Sequence, residues 1–233
     1  MNNGVILIDK PIGWTSFDVV AKIRGDLRRI TGNKKIKVGH AGTLDPMATG
    51  LLVVLAGNMT KQQDSFMKKD KVYEAEVTLG ARSDTDDGEG VLVSTGYDVR
   101  STKIGKEEIA EALNTFVGEI EQMPPQYSAI KLNGQKAYEI ARKGEKAELK
   151  LRKVTINSIE NIEVNGNLVR FSCHVSSGTY IRSLARDLGE KLGCGGYLSA
   201  LRRTSIGEYS VDEALAVSDL TDEYLQKSVA TTG

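Results

Sequence analysis

Alternation of apolar and polar residues from Tyr73 onward in the segment Lys71–Leu79 is the feature that most constrains how this chain folds. Its apolar members stand at every second position: Tyr73, Ala75, Val77 and Leu79. A second segment, Leu168–Ser176, repeats the pattern with Val169, Phe171, Cys173 and Val175. Strands with one apolar and one polar face are typical of antiparallel sheets that pack one side on a core. The two segments therefore predict a mainly antiparallel sheet.

Helical periods occur between the predicted strands. Thr15 and Asp18 have the spacing of a capping box, with Asp in place of Glu, and the helix that they open ends near Gly32. Further helices are predicted over Lys106–Val117, KAYEIARKG and SGTYIRSLARDLGEKLG, whereas the apolar run LLVVLAG fits either a strand or a short helix. No low-complexity linker divides the chain. We therefore predict one α+β domain over residues 1–233, with a mixed, mainly antiparallel sheet and an inserted basic arm at about residues 124–152.

Composition excludes several classes of protein. The chain has 233 residues, 40% hydrophobic and 27% charged, which is ordinary for a globular protein. The N-terminus lacks the basic and apolar regions of a signal peptide, and the longest apolar run, MATGLLVVLAGNM, is too short to span a bilayer. Cys173 and Cys194 form neither a CxxC motif nor a disulfide framework. We expect a reduced, cytoplasmic protein.

The charges balance overall but cluster locally. Lysine and arginine total 31, as do aspartate and glutamate. Seven basic residues against one acidic residue lie between Lys22 and Lys37, and eight against three lie between Lys131 and Lys153. Such tracts are either solvated faces or a grip on a polyanion, and two of them in a neutral chain favour the polyanion.

The segment VGHAGTLDPMATG, residues 38–50, disfavours regular structure. Glycine and proline weaken helices and strands, so the segment is either a tolerated loop or a backbone shaped around a ligand. Asp45 followed by Pro46 is typical of a turn start or a helix N-cap. The neighbouring glycines would also let a ligand approach the Asp45 carboxylate closely: Gly39, Gly42 and Gly50. Both roles of Asp45 stay open on these residues alone.

Arg182 lies in the first turn of a predicted helix capped by Thr179. The helix dipole disfavours a cation there by ~0.3–1 kcal/mol. A nearby carboxylate could offset that cost, and Arg182 would keep it ionised, as a carboxylate nucleophile requires. The alternative is a solvated surface arginine. Tyr73 and Tyr180 are each either a packed ring or a platform for a base.

The sequence contains no strong metal-binding motif. His40 and His174 are far apart, and no HxxxH or CxxC spacing occurs. The acidic stretch SDTDDGEG fails the spacing of a calcium loop because Gly88 stands where a third ligand is needed. This stretch is predicted to be an acidic hairpin turn.

Several long motifs together resemble one family. GHAGTLDPMATGLL resembles the signature of the TruB family, the bacterial tRNA pseudouridine-55 synthases. VILIDKPIGWTSFDVV and KVYEAEVTLGARSDTDDGEG resemble its first two motifs, PPQYSAIKLNGQKAYEIARKG its RNA-gripping insertion, and SSGTYIRSLARDLGEKLG its third catalytic motif. GCGGYLSALRRTSIGEY resembles the segment that follows. The resemblance extends from Gly4 to about Leu220.

The resemblance implies the pseudouridine synthase fold and conversion of a T-loop uridine of tRNA to pseudouridine, without metal or organic cofactor. It implies that Asp45 is the catalytic carboxylate, that Arg182 pairs with it, and that Tyr73 stacks on the target base. His40 would fill the space left by the flipped base, and Tyr180 and Leu201 would line its pocket. Further substrate contacts are expected at Gly42, Lys61, Lys131 and Arg202.

Members of this family commonly carry a further C-terminal RNA-binding domain, which is not expected here. Two alternatives to a stand-alone, monomeric enzyme without a protein partner stay open. One is an RNA-binding or tRNA-folding module without catalysis, and the other is a guide-directed synthase subunit similar to the dyskerin group. The Asp45, Tyr73 and Arg182 set disfavours a pure binder.

Overall fold

The structure is a computed structural model that describes residues 3–97, 104–132 and 134–230. The chain divides into two compact units, the first formed by Met1–Tyr73 with Leu201–Gly233 and the second by Glu74–Ala200. Its helices are α1 Ser16–Thr31, α2 Gln63–Met67, α3 Lys106–Asn114, α4 Ala137–Ala141, α5 Ile181–Lys191 and α6 Asp222–Ala230. None of these helices is long and apolar enough to cross a membrane.

The strands carry most of the architecture. In chain order they are β1 Gly4–Lys10, β2 Val38–His40, β3 Thr49–Ala56, β4 Lys71–Leu79, β5 Ala81–Ser83, β6 Leu92–Ser94, β7 Gly118–Gln122, β8 Lys131–Leu132, β9 Gln135–Lys136, β10 Arg152–Asn165, β11 Leu168–Val175, β12 Gly196–Ile206, β13 Tyr209–Ser210 and β14 Leu215–Ala216. Strands β4 and β12 each contribute residues to both units.

In the first unit the strands run in the order β14-β1-β3-β12. Strand β1 pairs antiparallel with β3 from Gly4 opposite Ala56 to Lys10 opposite Gly50. Strands β14 and β12 join in parallel, at β1 and β3 respectively. Strand β2 pairs antiparallel with β3 and ends at His40. The segment that contains Asp45 therefore connects two strands that are paired with each other.

Strand β3 is buried on both of its faces. Leu52, Val54 and Ala56 pack with α1 and α6 in one apolar cluster, whereas Leu51, Val53 and Leu55 belong to another with Phe66 and Ile206. A strand covered on both sides needs no polar face, so its sequence is a continuous apolar run. This explains why LLVVLAG was ambiguous between strand and helix, and the structure decides for the strand.

In the second unit the order is β12-β4-β11-β10-β7. Strand β10 pairs antiparallel with both β11 and β7, and α3 contacts β10 and α5. Two short hairpins, β5–β6 and β8–β9, stand outside this order. The acidic stretch SDTDDGEG connects β5 to β6, so the predicted acidic hairpin turn is confirmed. Residue 133 of the predicted basic arm lies outside the described residues.

The predicted α+β class with a mixed, mainly antiparallel sheet is confirmed. The Thr15–Asp18 capping box forms, and Gly32 closes α1 in the left-handed conformation. The predicted cap of α5 is wrong: Tyr180, not Thr179, is the N-cap. The Tyr180 main chain is held instead by Gln122, whose amide accepts from Tyr180 N at 2.8 Å and donates to Tyr180 O at 3.1 Å.

Candidate active site

Asp45 opens a tight turn between β2 and β3. The amide of Ala48 donates to the Asp45 carbonyl at 3.1 Å, and Gly13 N donates to the Pro46 carbonyl at 2.8 Å. No helix begins at Pro46, so of the two structural alternatives for Asp45 the structure shows the turn start and not the helix N-cap. The Asp45 residue is half-buried.

Buried groups from α1 and β1 fix the two sides of this turn. The Ser16 hydroxyl donates to the Leu44 carbonyl at 3.0 Å and accepts from the Leu44 amide at 2.8 Å. The Lys10 side chain is fully buried, and its Nζ donates to the carbonyls of Trp14 at 2.6 Å and Pro46 at 3.4 Å. The backbone on each side of the Asp45 carboxylate is thus restrained by side chains distant in sequence.

Arg203 restrains the same loop from β12. Its buried guanidinium donates to three backbone carbonyls: Leu51 at 2.8 Å, Gly42 at 3.0 Å and Thr43 at 3.4 Å. Gly42 has a φ of 113°, a backbone conformation that disfavours residues with a side chain. Gly42 therefore shapes the loop that precedes Asp45. Sequence reasoning missed Arg203 and Lys10, since a basic residue in a charged chain resembles a solvated one.

His40 is the last residue of β2 and lies just before the loop that carries Asp45. Its main-chain carbonyl accepts from Gln63 Nε2 at 3.0 Å. Within the described part of the chain, His40 Nδ1 is buried without a hydrogen-bond partner. Burial, helped by the positive charge of Arg203, lowers the pKa of His40, which favours a neutral imidazole. A neutral, flat imidazole can stack on an aromatic surface, whereas its buried Nδ1 would be stabilised by a hydrogen-bond partner.

The other predicted site residues of the first unit differ in burial and in their partners. Tyr73 is buried in β4, and Leu201 is half-buried in β12. Arg202 makes a bidentate ion pair with Asp9, at 3.0 and 2.7 Å. Lys61 is exposed in a 3₁₀ turn, Gly57–Gln62. Arg202 is thus already engaged with an acidic partner, whereas Lys61 faces solvent.

In the second unit Arg182 is buried, with 6% of its surface exposed. Its Nη1 lies 3.4 Å from Asp87 Oδ2 and donates to the Thr85 carbonyl at 3.1 Å. Its Nη2 donates to the Tyr127 carbonyl at 3.0 Å. The alternative of a solvated surface arginine is therefore wrong. The Asp87 carboxylate offsets the unfavourable position of a cation at the helix start.

Sequence reasoning missed Asp87, because it treated the stretch SDTDDGEG only as an acidic hairpin turn. Only 3% of it is exposed. Its Oδ1 accepts from Thr85 Oγ1 at 2.6 Å and from Glu89 N at 3.1 Å. These donors hold the carboxylate so that Oδ2 is directed toward Arg182.

Tyr180 and Lys131 are the other predicted contacts in this unit. Tyr180 is half-buried immediately before α5, and Lys131 is exposed in β8 of the basic arm. Within each unit, the structure groups Gly42 and Asp45 on the loop that follows His40 at the end of β2, and Tyr180 with Arg182 at one helix end. Asp45 and Arg182 belong to different units, and their pairing stays a prediction.

The sequence matches two family models. Residues 28–181 match the N-terminal domain of the TruB family of pseudouridylate synthases, and residues 182–232 match the C-terminal domain of tRNA pseudouridylate synthase B. The two matches assign the chain to an enzyme class, the pseudouridine synthases, which are isomerases. This chain belongs to the TruB family.

Named relatives agree with this assignment. The chain is 44% identical over 227 residues to "tRNA pseudouridine synthase B" of Clostridium kluyveri, covering 97% of this chain and 75% of that protein. It is 43% identical over 225 residues to the protein of the same name from Parabacteroides distasonis, with 97% and 94% covered. Among solved structures, the "Crystal Structure of a Cbf5-Nop10-Gar1 Complex" superposes with a TM-score of 0.72 at 31% identity. That match covers 97% of this chain and 59% of the other.

Proposed function

We propose that this enzyme isomerises a uridine in the T-loop of tRNA, position 55, to pseudouridine, with Asp45 as the catalytic carboxylate. The observation that carries the proposal is the Asp45 turn, which side chains from α1, β1 and β12 restrain in a member of the TruB family. The choice of tRNA as the substrate rests on the names of its relatives, which are tRNA pseudouridine synthases. We also propose one catalytic domain with an RNA-binding insertion at about residues 124–152, acting as a monomer.

The reaction rearranges bonds without redox change. The bond between C1′ and N1 of the uridine breaks, the base rotates, and a bond forms between C1′ and C5. The proton of C5 is released and N1 takes up a proton, so that atoms and charge balance. In this proposal Asp45 acts as an ionised carboxylate toward the base or the sugar, and Tyr73 stacks on the rotating base.

Arg182 would hold the Asp45 carboxylate ionised. Two features of the second unit support this role. Arg182 is buried, so its charge is poorly screened by water. Its hydrogen bonds to the Thr85 and Tyr127 carbonyls restrict the guanidinium to one orientation. A preorganised cation of this kind stabilises a carboxylate more than a mobile one does.

Access to the uridine would require that its base leave the stack. Extracting a base costs a few kcal/mol, which an inserted side chain can partly offset. His40 is suited to this because burial favours its uncharged imidazole, a flat ring that can stack on neighbouring bases. Tyr180 and Leu201 would line the pocket for the flipped base.

Contacts to the RNA backbone have a candidate location in the first unit. A cavity of about 380 Å³ is lined by three lysines, Lys35, Lys37 and Lys61, and by polar residues that include Asn33 and Thr60. Lysines around a polar cavity are suited to phosphate groups, whose contacts position an RNA without reading its sequence. Lys131 of the basic arm would add a further contact. Affinity from such contacts falls as salt is added.

Tritium release tests the proposal. An unmodified tRNA transcript carrying 5-tritiated uridine is incubated with the protein alone, with Asp45→Asn, or with the control Asp64→Asn, an exposed carboxylate of α2. We expect about one equivalent of tritium released per tRNA by the wild type and by Asp64→Asn, and none by Asp45→Asn. Full turnover by Asp45→Asn would contradict the role of Asp45. Tight tRNA binding without any release would favour a binding module.

A guide-directed synthase subunit is the second candidate. It is favoured by the superposition on the solved complex of Cbf5 with Nop10 and Gar1. Release of tritium without guide RNA or added protein would exclude this candidate for the tRNA reaction. Release that appears only when a guide ribonucleoprotein is reconstituted would support it.

A further inference from the structure

Two arginines on α5 hold the acidic turn at two adjacent points. Arg182 and Arg186 are one helical turn apart and share a face. Arg182 contacts Asp87, and Arg186 Nη1 lies 2.8 Å from Asp86 Oδ2. Each arginine also donates to a backbone carbonyl at the start of the basic arm: Arg182 to Tyr127, within the arm, and Arg186 to Met123, just before it, at 2.9 Å. Two consecutive carboxylates are thus matched by two arginines one helical turn apart.

Asp86 occupies an unfavourable position. Its φ is 63°, a left-handed conformation that few residues with side chains adopt. Its side chain is only 13% exposed, and burial raises the pKa of its carboxyl to about 6 in spite of Arg186 and Arg182. The charged groups around it are those two arginines, Asp187 of α5, and the adjacent Asp87. Desolvation therefore opposes the ionised form, and Arg186 supplies the closest compensating charge.

The conformation of Asp86 also decides where Asp87 lies. The amide of Leu198 donates to the Asp86 carbonyl at 3.0 Å, and the amide of Gly88 donates to the Leu198 carbonyl at 3.0 Å. Asp87 stands between these two bonds. If Asp86 left its buried position, both bonds would be strained, and Asp87 would move relative to Arg182.

We infer that Arg186 is a positioning residue, which balances the buried charge of Asp86 and thereby keeps the acidic turn closed so that Asp87 holds Arg182 in place. This inference rests on the proposed function for its effect on the reaction, whereas its effect on the turn stands on the geometry alone. Removal of one partner of a buried pair leaves the other charge uncompensated, which costs more than losing both. Removing Arg186 should therefore do more harm than removing Asp86, and removing both should do less harm than removing Arg186.

The test is a double-mutant cycle at pH 8 with Arg186→Gln, Asp86→Asn and the double variant. Asn is suited to this position because it tolerates the left-handed conformation. We expect Arg186→Gln to lower kcat for tRNA on the order of tenfold, with KM changed less than about twofold. The double variant should recover to within about threefold of the wild type. Asp187→Asn is the matched control, because Asp187 also contacts Arg186, at 2.8 Å, but lies outside the turn.

Acidification provides a second form of rescue. Lowering the pH toward 5 protonates Asp86 and removes the charge that Arg186 compensates. The ratio of wild-type to Arg186→Gln kcat should therefore fall toward one as the pH falls, and the ratio of wild type to the double variant should stay nearly constant. A defect of Arg186→Gln that is equal at every pH would overturn the inference, since it would reflect packing alone.

Hydrogen exchange tests the turn without any assay of activity. At pH 8 the amides of Gly88 and Leu198 should exchange faster in Arg186→Gln and return to wild-type protection in the double variant. A double variant as impaired as Arg186→Gln, in exchange or in kcat, would show that Arg186 acts through Met123 or Asp187 instead. If the wild type releases no tritium, the proposed function fails, and the exchange rates alone decide the inference.

Discussion

The main chain of Arg203 occupies the space that a side chain on Gly50 would need. A Cβ built on Gly50 would lie 2.3 Å from the Arg203 carbonyl oxygen and 2.7 Å from its nitrogen. The two residues face each other in the parallel pairing of β12 with β3, and Gly50 has a φ of 97°. The close approach brings the Arg203 side chain to the loop that carries Asp45.

Gly50→Ala should therefore destabilise the protein strongly. Overpacking against backbone and strain at positive φ together should lower the free energy of unfolding by ~3–5 kcal/mol. Urea unfolding measures the change. Gly39→Ala is the control, because a Cβ at Gly39 would meet nothing within 4 Å, and it should cost less than about 1 kcal/mol. Equal losses for the two variants would contradict the close approach.

Neighbouring arginines of β12 should respond differently to lysine. Arg203 is 1% exposed, and its guanidinium donates hydrogen bonds to three backbone carbonyls. A single ammonium does not reproduce this geometry. Arg203→Lys should lower the free energy of unfolding by ~2–4 kcal/mol, since buried carbonyls lose their donors. Arg202→Lys keeps a charge beside Asp9 in a partly exposed pair and should cost less than about 1 kcal/mol. Thermal unfolding of both variants at neutral pH compares them, and a larger loss at Arg202 would refute this assignment.

Lys71 should make stability rise at alkaline pH. The side chain is buried, and desolvation, with the charge of Arg203 as a smaller contribution, lowers the pKa of Lys71 to about 8. Between that value and the ordinary 10.5, the unfolded chain binds a proton that the folded chain does not, so stability increases with pH. From pH 7 to pH 10 the wild type should gain roughly 2–3 kcal/mol relative to Lys71→Met. A difference between the two proteins that does not change with pH would exclude a neutralised Lys71.

His40 should make the folded state sensitive to acid. Its pKa is lowered by burial and by Arg203, so below the ordinary value of 6.5 the unfolded chain binds a proton more readily than the folded chain. The stabilising contribution is present above that value and is lost as the pH falls. Between pH 7 and pH 5 the wild type should lose stability relative to His40→Gln, as measured by urea unfolding. Parallel stability curves for the two proteins would argue against a buried neutral imidazole.

Local features of the sequence predicted much of the fold. The alternation in Lys71–Leu79 corresponds to β4, and the Thr15–Asp18 pair caps α1 as its spacing indicated. Both features depend on residues that are close together in the sequence, so they can be recognised from the sequence alone. The same holds for the motifs that identified the family. Roles of Asp45, Tyr73 and Arg182 in the reaction stay predictions.

Only the tertiary structure decided which polar residues are buried and what they hold. Lys10, Asp87 and Arg203 are indistinguishable in sequence from solvated charges, yet each is buried against partners distant in the chain. Strand β3 could not be told from a helix because burial on both faces removes the polar period. By itself, the sequence determined the local periods, the caps and the family. The tertiary structure decided which charged residues are buried and stabilise the backbone around them. A charge leaves water only where folded backbone or an opposite charge replaces its hydration.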